Sequence, residues 1–533
     1  MSVTRVRDRH DRLSMRRTLT EVLTAPKGWR TDLGAVLTAP KGWRTDLAAV
    51  LAGALSALAL PPLHAVPALL IGIPVLLRLI QGARSHAVAA RRGWWFGFGL
   101  HVAGLYWITE PILIEAERFW WLVPFAVPGL AAVLAVFVAV PAAITWHARP
   151  GWRAAMTLAG AWVLSDIARQ FVASGFPWNP LGSVWEFPGR PGDIMIQVAS
   201  LAGVHGMTLA TVLLASLPIL GWSWRAGGMA VLAAWFGFGL FRIDQPMPPG
   251  PGLTVLLIQG NVAQGQKWDR TLMVSIFRHY LDLTRQAVAM AGGHPAVVVW
   301  PETASAAQLQ TDTPAREAIA EAAGDAQALI GSVRFDAADR PRNSLFALGA
   351  NGVIESVYDK WHLVPFGEYQ PDWLPGIQVV PGGGFASGPG PRTLHVPGLP
   401  PFGVLICYEA IFSHQVIDEA DRPDWMVNVT NDAWFGNSAG PRQHLAAARL
   451  RAVEEGLPLL RAANTGISAG FDAKGHELGR LGLQTTGILQ LSLPPPLAMP
   501  LYARLGLPIP IGAAFLSLIT GLVRTLRSIR SVF

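Results

Sequence analysis

Cysteine is nearly absent: Cys407 is the only one in 533 residues. That excludes an intramolecular disulfide and any multi-cysteine metal site. Charge is scarce as well. Asp, Glu, Lys and Arg make up 14% of the chain, against roughly 25% in a soluble domain. No H-E-x-x-H pair, P-loop or strand-linked dinucleotide fingerprint occurs, so no metal and no cofactor is expected. What is abundant is apolar surface. Hydrophobic residues are 51% of the chain, the mean hydropathy is +0.35, and the apolar residues cluster in long runs. The chain reads as a membrane protein with a soluble part. Its net charge of +7 is concentrated at the two ends and in short loops, which is a topology signal, and nucleic acid is not an expected partner.

Residues 1–46 form a basic tail with ten Lys and Arg, in which Val22–Leu33 recurs identically at Val36–Leu47. A tandem duplication accounts for the repeat, and no chemistry is assigned to it. Apolar spans follow at 47–61, 64–81, 93–109, 119–147, 154–173, 194–220 and 226–242, with an eighth at 505–523. Arg78, Arg84, Arg91 and Arg92 follow span two, Arg149 and Arg153 follow span four, and Arg225 follows span six. The loop after span one has no Lys or Arg, and the loop after span three carries Glu110, Glu115 and Glu117 against Arg118. By the positive-inside rule the even-numbered loops and both termini are cytoplasmic. This divides the chain into a tail (1–46), a seven-helix membrane domain (47–243), an outer domain (244–503) and a last span with a basic tail (504–533). Within the spans, Asp166 and Arg169 share a helix face and read as an ion pair, and Gly93 and Gly97 read as a helix-packing pair.

The outer domain has a different rhythm. Leu253–Ile258, Ala296–Trp300, Ala328–Val333, Ser344–Leu348, Val353–Tyr358, Val404–Ile406 and Trp425–Val429 read as buried strands, with helices at Thr271–Ala291 and Pro314–Ala323. This is an α/β domain, and the Gly- and Pro-rich stretch 375–401 reads as a long loop.

Three strand ends bring chemistry. Ala296–Glu302 ends on a carboxylate, and a buried Glu302 with a raised pKa would suit a general base; its plain alternative is a helix cap. Lys360 follows the strand ending at Asp359 and could stabilise an anionic tetrahedral intermediate, with Glu368 holding the lysine or ordering its loop. A surface lysine in a turn is the alternative. Cys407 ends Val404–Ile406, and a helix starting just beyond would favour its thiolate. A small buried apolar side chain is the alternative. The backbone N–H of Tyr408 is a natural oxyanion donor. Asn428–Gly436 runs from a strand into a polar, aromatic loop that could wall a pocket or be an ordinary turn. Gly466–Gly470 matches the G-x-S-x-G elbow, but Phe471–Gly475 reads as a hairpin turn instead of the helix that an elbow requires, so the match is taken as chance.

Trp300-Pro301-Glu302, Lys360 within DKWHLVPFGEY and Cys407 within ICYE, with 58 and then 47 residues between the three, resemble the Glu-Lys-Cys triad of the carbon–nitrogen hydrolase (nitrilase) superfamily. Seven spans before the domain and one after narrow the resemblance to the apolipoprotein N-acyltransferase family, over residues 47–525. Further similar segments are Gln259–Asn261, Lys267-Trp268, Asn343-Ser344, Phe176–Trp178, Asn431–Gly436 and Arg461–Gly466. The resemblance implies an α-helical polytopic membrane domain of about eight transmembrane helices plus an αββα sandwich. It implies Glu302, Lys360 and Cys407 as catalytic residues, and Glu368, Tyr408 and Glu409 as supporting or oxyanion residues. Trp268, Asn343, Trp434 and Phe435 would bind substrate. The implied partners are a phospholipid acyl donor and a diacylglyceryl-cysteine apolipoprotein acceptor, with a thioester acyl-enzyme between them. The implied place is a bacterial inner membrane, with the outer domain periplasmic and the chain a monomer. The competing expectations are a membrane-tethered amidase that passes the acyl group to water, and a transporter or scaffold with an inactive outer domain.

Overall fold

The computed structural model describes residues 42–114, 116–267, 269–370 and 384–530. The first copy of the tandem repeat and most of the basic tail lie outside them. Every apolar stretch is helical. In chain order these helices are α1 (Gly42–Ala57), α2 (Leu69–Gln81), α3 (His86–Gly104), α4 (Val123–Leu134), α5 (Val136–Thr145), α6 (Trp152–Phe171), α7 (Ala199–Ala215) and α8 (Trp222–Asp244). Among the described residues, three helical stretches are long and apolar enough to cross a bilayer: Trp120–Thr145, Ala199–Ile219 and Trp222–Asp244. Packing is close where glycines allow it. A Cβ on Gly93 would stand 2.4 Å from the Cβ of Ala142, which explains the small residue facing α5. Asp166 and Arg169 form the expected ion pair, at 3.1 Å.

The domain that follows α8 is two six-stranded mixed sheets, face to face. The first runs β12-β1-β2-β3-β4-β5 and the second β11-β10-β9-β8-β7-β6. The strands are β1 (Thr254–Gln259), β2 (Ala296–Val299), β3 (Gln327–Phe335), β4 (Pro341–Leu348), β5 (Ile354–Asp359), β6 (Thr393–Leu394), β7 (Phe402–Ile406), β8 (Trp425–Thr430), β9 (Leu459–Ala463), β10 (Ser468–Phe471), β11 (Glu477–Leu481) and β12 (Gly487–Ser492). The Val, Ile and Leu runs of the central parallel strands suit burial on both faces. Val255, Val297, Val404 and Val427 face the space between the sheets. The other face of the first sheet, with Leu256, Val298 and Ile330, is covered by α9 (Met273–Ala291) and α10 (Thr313–Ala323). On the second sheet α11 (Gly440–Glu455) takes that place through Leu445, Ala448 and Ala452. The result is the expected αββα layering. The last helix, α12 (Pro508–Arg530), packs beside α6. Ser468 lies buried at the start of β10 and donates to Gln259 Oε1 at 2.6 Å, and the chain then turns back into β11, so it forms no elbow.

α11 carries charged and apolar residues on every side and is almost wholly buried, which suits a helix packed between two bodies. Gln443 on it is fully used. Its Oε1 accepts from Trp107 Nε1 at 3.0 Å and Trp178 Nε1 at 2.8 Å, and its Nε2 donates to Pro61 O and Gly104 O at 3.1 and 3.2 Å. Glu454, also on α11, accepts from Val204 N at 2.7 Å. The two-sheet domain is thus bolted to the N-terminal helices along one helix.

Candidate active site

Glu302, Lys360 and Cys407 converge between the sheets. Glu302 lies three residues beyond β2, Lys360 directly follows β5, and Cys407 directly follows β7. All three side chains are buried. The approach of Glu302 depends on Gly331 in β3, where a Cβ would meet Pro301 O at 2.1 Å. Lys360 Nζ is 3.3 Å from Glu302 Oε1 and 2.8 Å from the Glu368 carboxylate. Asn343 Nδ2 bridges the same two acids, at 2.7 Å from Glu302 and 3.0 Å from Glu368. The backbone N–H of Asn431 donates to Glu302 Oε2 at 2.8 Å, and that of Val364 donates to Glu368 Oε2 at 2.9 Å. Lys267 donates from below to the Glu302 carbonyl at 2.9 Å and to Thr303 Oγ1 at 2.5 Å.

Cys407 has φ +51°, a left-handed conformation unusual for a residue with a side chain, and it opens a single 3₁₀ turn, Cys407–Ile411. The helix expected beyond the cysteine is therefore only this one turn. Glu409 braces it. Its carboxylate accepts from Ile406 N at 2.6 Å, Trp361 N at 2.8 Å and Tyr358 OH at 3.0 Å, tying the Cys407 turn to the strand end of Lys360. Burial raises the Glu409 pKa to about 7. Tyr408 points away from the acids: its hydroxyl donates to Gly175 O at 2.8 Å, and its ring packs in an apolar cluster with Trp107, Trp178 and Phe412. Phe435 joins that cluster, with its ring 4.6 Å from Trp107. Trp434 is exposed. Trp268 lies outside the described residues.

Electrostatics set the resting state. Burial pushes the Cys407 thiol well above its ordinary range, and the Glu302 charge adds to this, so the thiol keeps its proton. Burial alone would also raise Glu302, but Lys360, Lys267 and Asn343 outweigh it and hold the carboxylate below its usual range. This corrects the raised pKa expected of that base: the neighbouring cations decide the direction. Lys360 loses to burial but gains more from Glu302 and Glu368, and stays an ammonium. Burial lowers Lys267 to about 8. The site therefore holds a thiol, a carboxylate and a fixed cation, the components of nucleophilic acyl transfer with general-base help.

A second buried group stands behind the cysteine. His444 of α11 places Nε2 2.9 Å from the Cys407 carbonyl oxygen and Nδ1 2.9 Å from Asp432 Oδ1. Arg461 Nη2 donates to Asp432 Oδ2 at 2.6 Å, and Thr430 Oγ1 donates to Asp432 Oδ1 at 3.0 Å. Burial pushes Asp432 up, but Arg461 and His444 outweigh it and hold it well below the usual carboxylate range. Ligand atoms of Cys407, Asp432 and His444 lie within 4.8 Å of one another. As a metal set they are poorly disposed, because the histidine nitrogens and the carboxylate oxygens are already engaged in hydrogen bonds. Sequence reasoning missed His444 and Gln443 entirely, and gave Lys267 no role of its own. The signals present were the Gly-Pro start of α11 and Gly456 at its end.

A strand-end cysteine, lysine and glutamate between two facing sheets define a carbon–nitrogen hydrolase domain, and residues 258–499 match the family described as carbon-nitrogen hydrolase. Residues 52–217 match the apolipoprotein N-acyltransferase N-terminal domain. The chain is 38% identical over 490 residues to the apolipoprotein N-acyltransferase of Rhodopseudomonas palustris, covering 85% of this chain and 90% of that one. It is 39% identical over 477 residues to that of Sinorhizobium medicae, covering 83% and 88%. A solved mutant of an amidase of the nitrilase superfamily from Nesterenkonia AN1 is 17% identical with a TM-score of 0.35, covering 47% of this chain and 94% of that one. The chain belongs to the apolipoprotein N-acyltransferase family.

Proposed function

We propose that this protein moves one acyl chain from a phospholipid to the α-amine of a diacylglyceryl-cysteine at an apolipoprotein N-terminus. What supports the reading is one arrangement: Cys407 of the Glu302–Lys360–Cys407 cluster opens a turn whose next residue, Tyr408, packs against Trp107 and Trp178 of the N-terminal helical part. Glu302 takes the thiol proton as Sγ attacks the sn-1 ester carbon. The oxyanion is held by Lys360 and by the Tyr408 amide. Lysophospholipid leaves with the proton, and a Cys407 thioester remains. The α-amine then attacks the thioester, its proton passes to Glu302, and the thiol is regenerated as the amide forms. The kinetics are ping-pong. Glu368 and Asn343 keep Lys360 and Glu302 in place, and Trp268, Trp434 and Phe435 meet the acyl chains. Eight crossings place residues 244–503 on the periplasmic side of a bacterial inner membrane, with both termini cytoplasmic and the chain a monomer.

Mass spectrometry of the purified protein with phospholipid alone tests this. One acyl mass that hydroxylamine removes is expected, absent from Cys407→Ala. A diacylglyceryl-cysteine peptide with a free amine discharges it and becomes acylated, whereas the same peptide acetylated on that amine does not. Rapid fatty-acid release without any peptide product would instead make the protein a hydrolase.

A further inference from the structure

The proposed steps make no use of His444, Asp432 or Arg461, yet all three are buried directly behind the nucleophile. The Cys407 carbonyl oxygen can only accept, so His444 Nε2 carries the proton between them. This holds for the imidazolium, and also for the neutral tautomer in which Nδ1 accepts from Arg461 Nη2 at 3.2 Å. In the imidazolium the ring is fixed from behind by Asp432, which Arg461 and Thr430 hold in turn, and in the neutral tautomer by Arg461.

We infer that His444 is a positioning residue for the oxyanion-holding amide of Tyr408, acting through the carbonyl of Cys407. The inference rests on the proposed acyl transfer at Cys407. The Cys407 carbonyl and the Tyr408 N–H belong to one planar trans peptide and point in opposite directions. Fixing the oxygen therefore aims the N–H. A hydrogen bond received by the carbonyl also polarises the amide and strengthens its N–H as a donor. The peptide needs holding, because a left-handed backbone is strained for a residue with a side chain and persists only when its surroundings enforce it. Glu409 holds the upstream N–H of Ile406, and His444 holds the downstream carbonyl, so the turn is pinned on both sides of the thiol. His444 makes and breaks no bond in the reaction.

The test compares two electrophiles on the full-length protein in detergent. Phospholipid acylates Cys407 through a tetrahedral oxyanion, whereas iodoacetamide alkylates it by displacing iodide at a saturated carbon and forms no oxyanion. For His444→Leu the acylation rate constant should fall ~10²–10³-fold, the loss typical of one oxyanion donor, with the phospholipid KM held and alkylation within about threefold of wild type. His444→Gln, which retains an N–H donor, should recover part of the loss. An equal fall in both reactions would overturn the inference, assigning the ring to thiol acidity. So would wild-type acylation in His444→Leu, or failure of both variants to fold, which would make the ring a structural post. If the wild-type protein is itself not acylated at Cys407, the acyl-transfer reading fails first, and the two failures are distinguishable.

Discussion

Gln443 and His444 are neighbours on one helix and hold opposite sides of the protein. Gln443 accepts from the indole N–H groups of Trp107 and Trp178 in the N-terminal helical part, and His444 donates to the carbonyl of Cys407. One turn of α11 thus links the anchoring of the two-sheet domain to the geometry of the thiol turn.

That clamp has a measurable worth. Gln443→Leu leaves two buried indole donors without their acceptor, each loss costing about 1–3 kcal/mol. Thermal unfolding in detergent should show a clear drop in Tm. Phospholipid acylation should fall more than reaction with a small water-soluble ester, because the seating of the outer domain is disturbed. An unchanged Tm would contradict the clamp.

The two charged partners of the thiol should separate kinetically. Glu302→Gln removes the proton acceptor and should abolish acyl-enzyme formation. Lys360→Ala removes a cationic oxyanion donor and should cost ~10²–10³ in rate. Lys360→Arg should recover little, because a planar guanidinium does not fit the space of an ammonium held between two acids. Single-turnover acylation followed by mass spectrometry reads all three, and a wild-type rate in either lysine variant would remove Lys360 from the chemistry.

Lys267 should tune the pH profile. Its cation favours the Glu302 carboxylate and lowers that pKa, so removing the cation raises it. At a given acidic pH less of the base is then ionised, and in Lys267→Met the acidic limb of the acylation rate should move to higher pH. In the wild type this support fades as pH rises through about 8, where Lys267 itself loses its proton. A limb that stays in place in Lys267→Met would show that the cation does not reach the base.

Gly331→Ala tests the seating of the base. The new Cβ would press on backbone at Pro301, Glu302 and Thr303, so the loop must move. Misplacing a catalytic group by about 1 Å can cost ~10²-fold in rate, and overpacking about 1–3 kcal/mol in stability. Acylation should fall by more than the loss of folded protein explains. Unchanged kinetics would mean that the strand yields instead of the loop.

Much of the two-sheet domain was legible because its central strands are short apolar runs that end at chemically distinct residues. Glu302 and Cys407 stood out since each follows an aliphatic run directly or after a short step, and Lys360 since it follows a strand of mixed residues, Ile354–Asp359. Strands β9 to β12 were less legible. Arg461 interrupts β9, and β11 and β12 alternate polar and apolar residues near the rim. Helix α11 was missed because its polar residues are buried by contact with another domain, and a search for an amphipathic stripe does not find such a helix.

The sequence by itself determined which groups are available: a carboxylate, a lysine and one thiol in that order, and apolar runs around the domain that carries them. Those are properties of local composition and spacing. The tertiary structure decided their state. Lys360 and Lys267, distant in the chain, reverse the shift that burial alone would give Glu302. Contacts across 37 residues bring His444 to the carbonyl of Cys407. Coulomb interactions and hydrogen bonds act over a few ångströms in space, and only folding sets those distances.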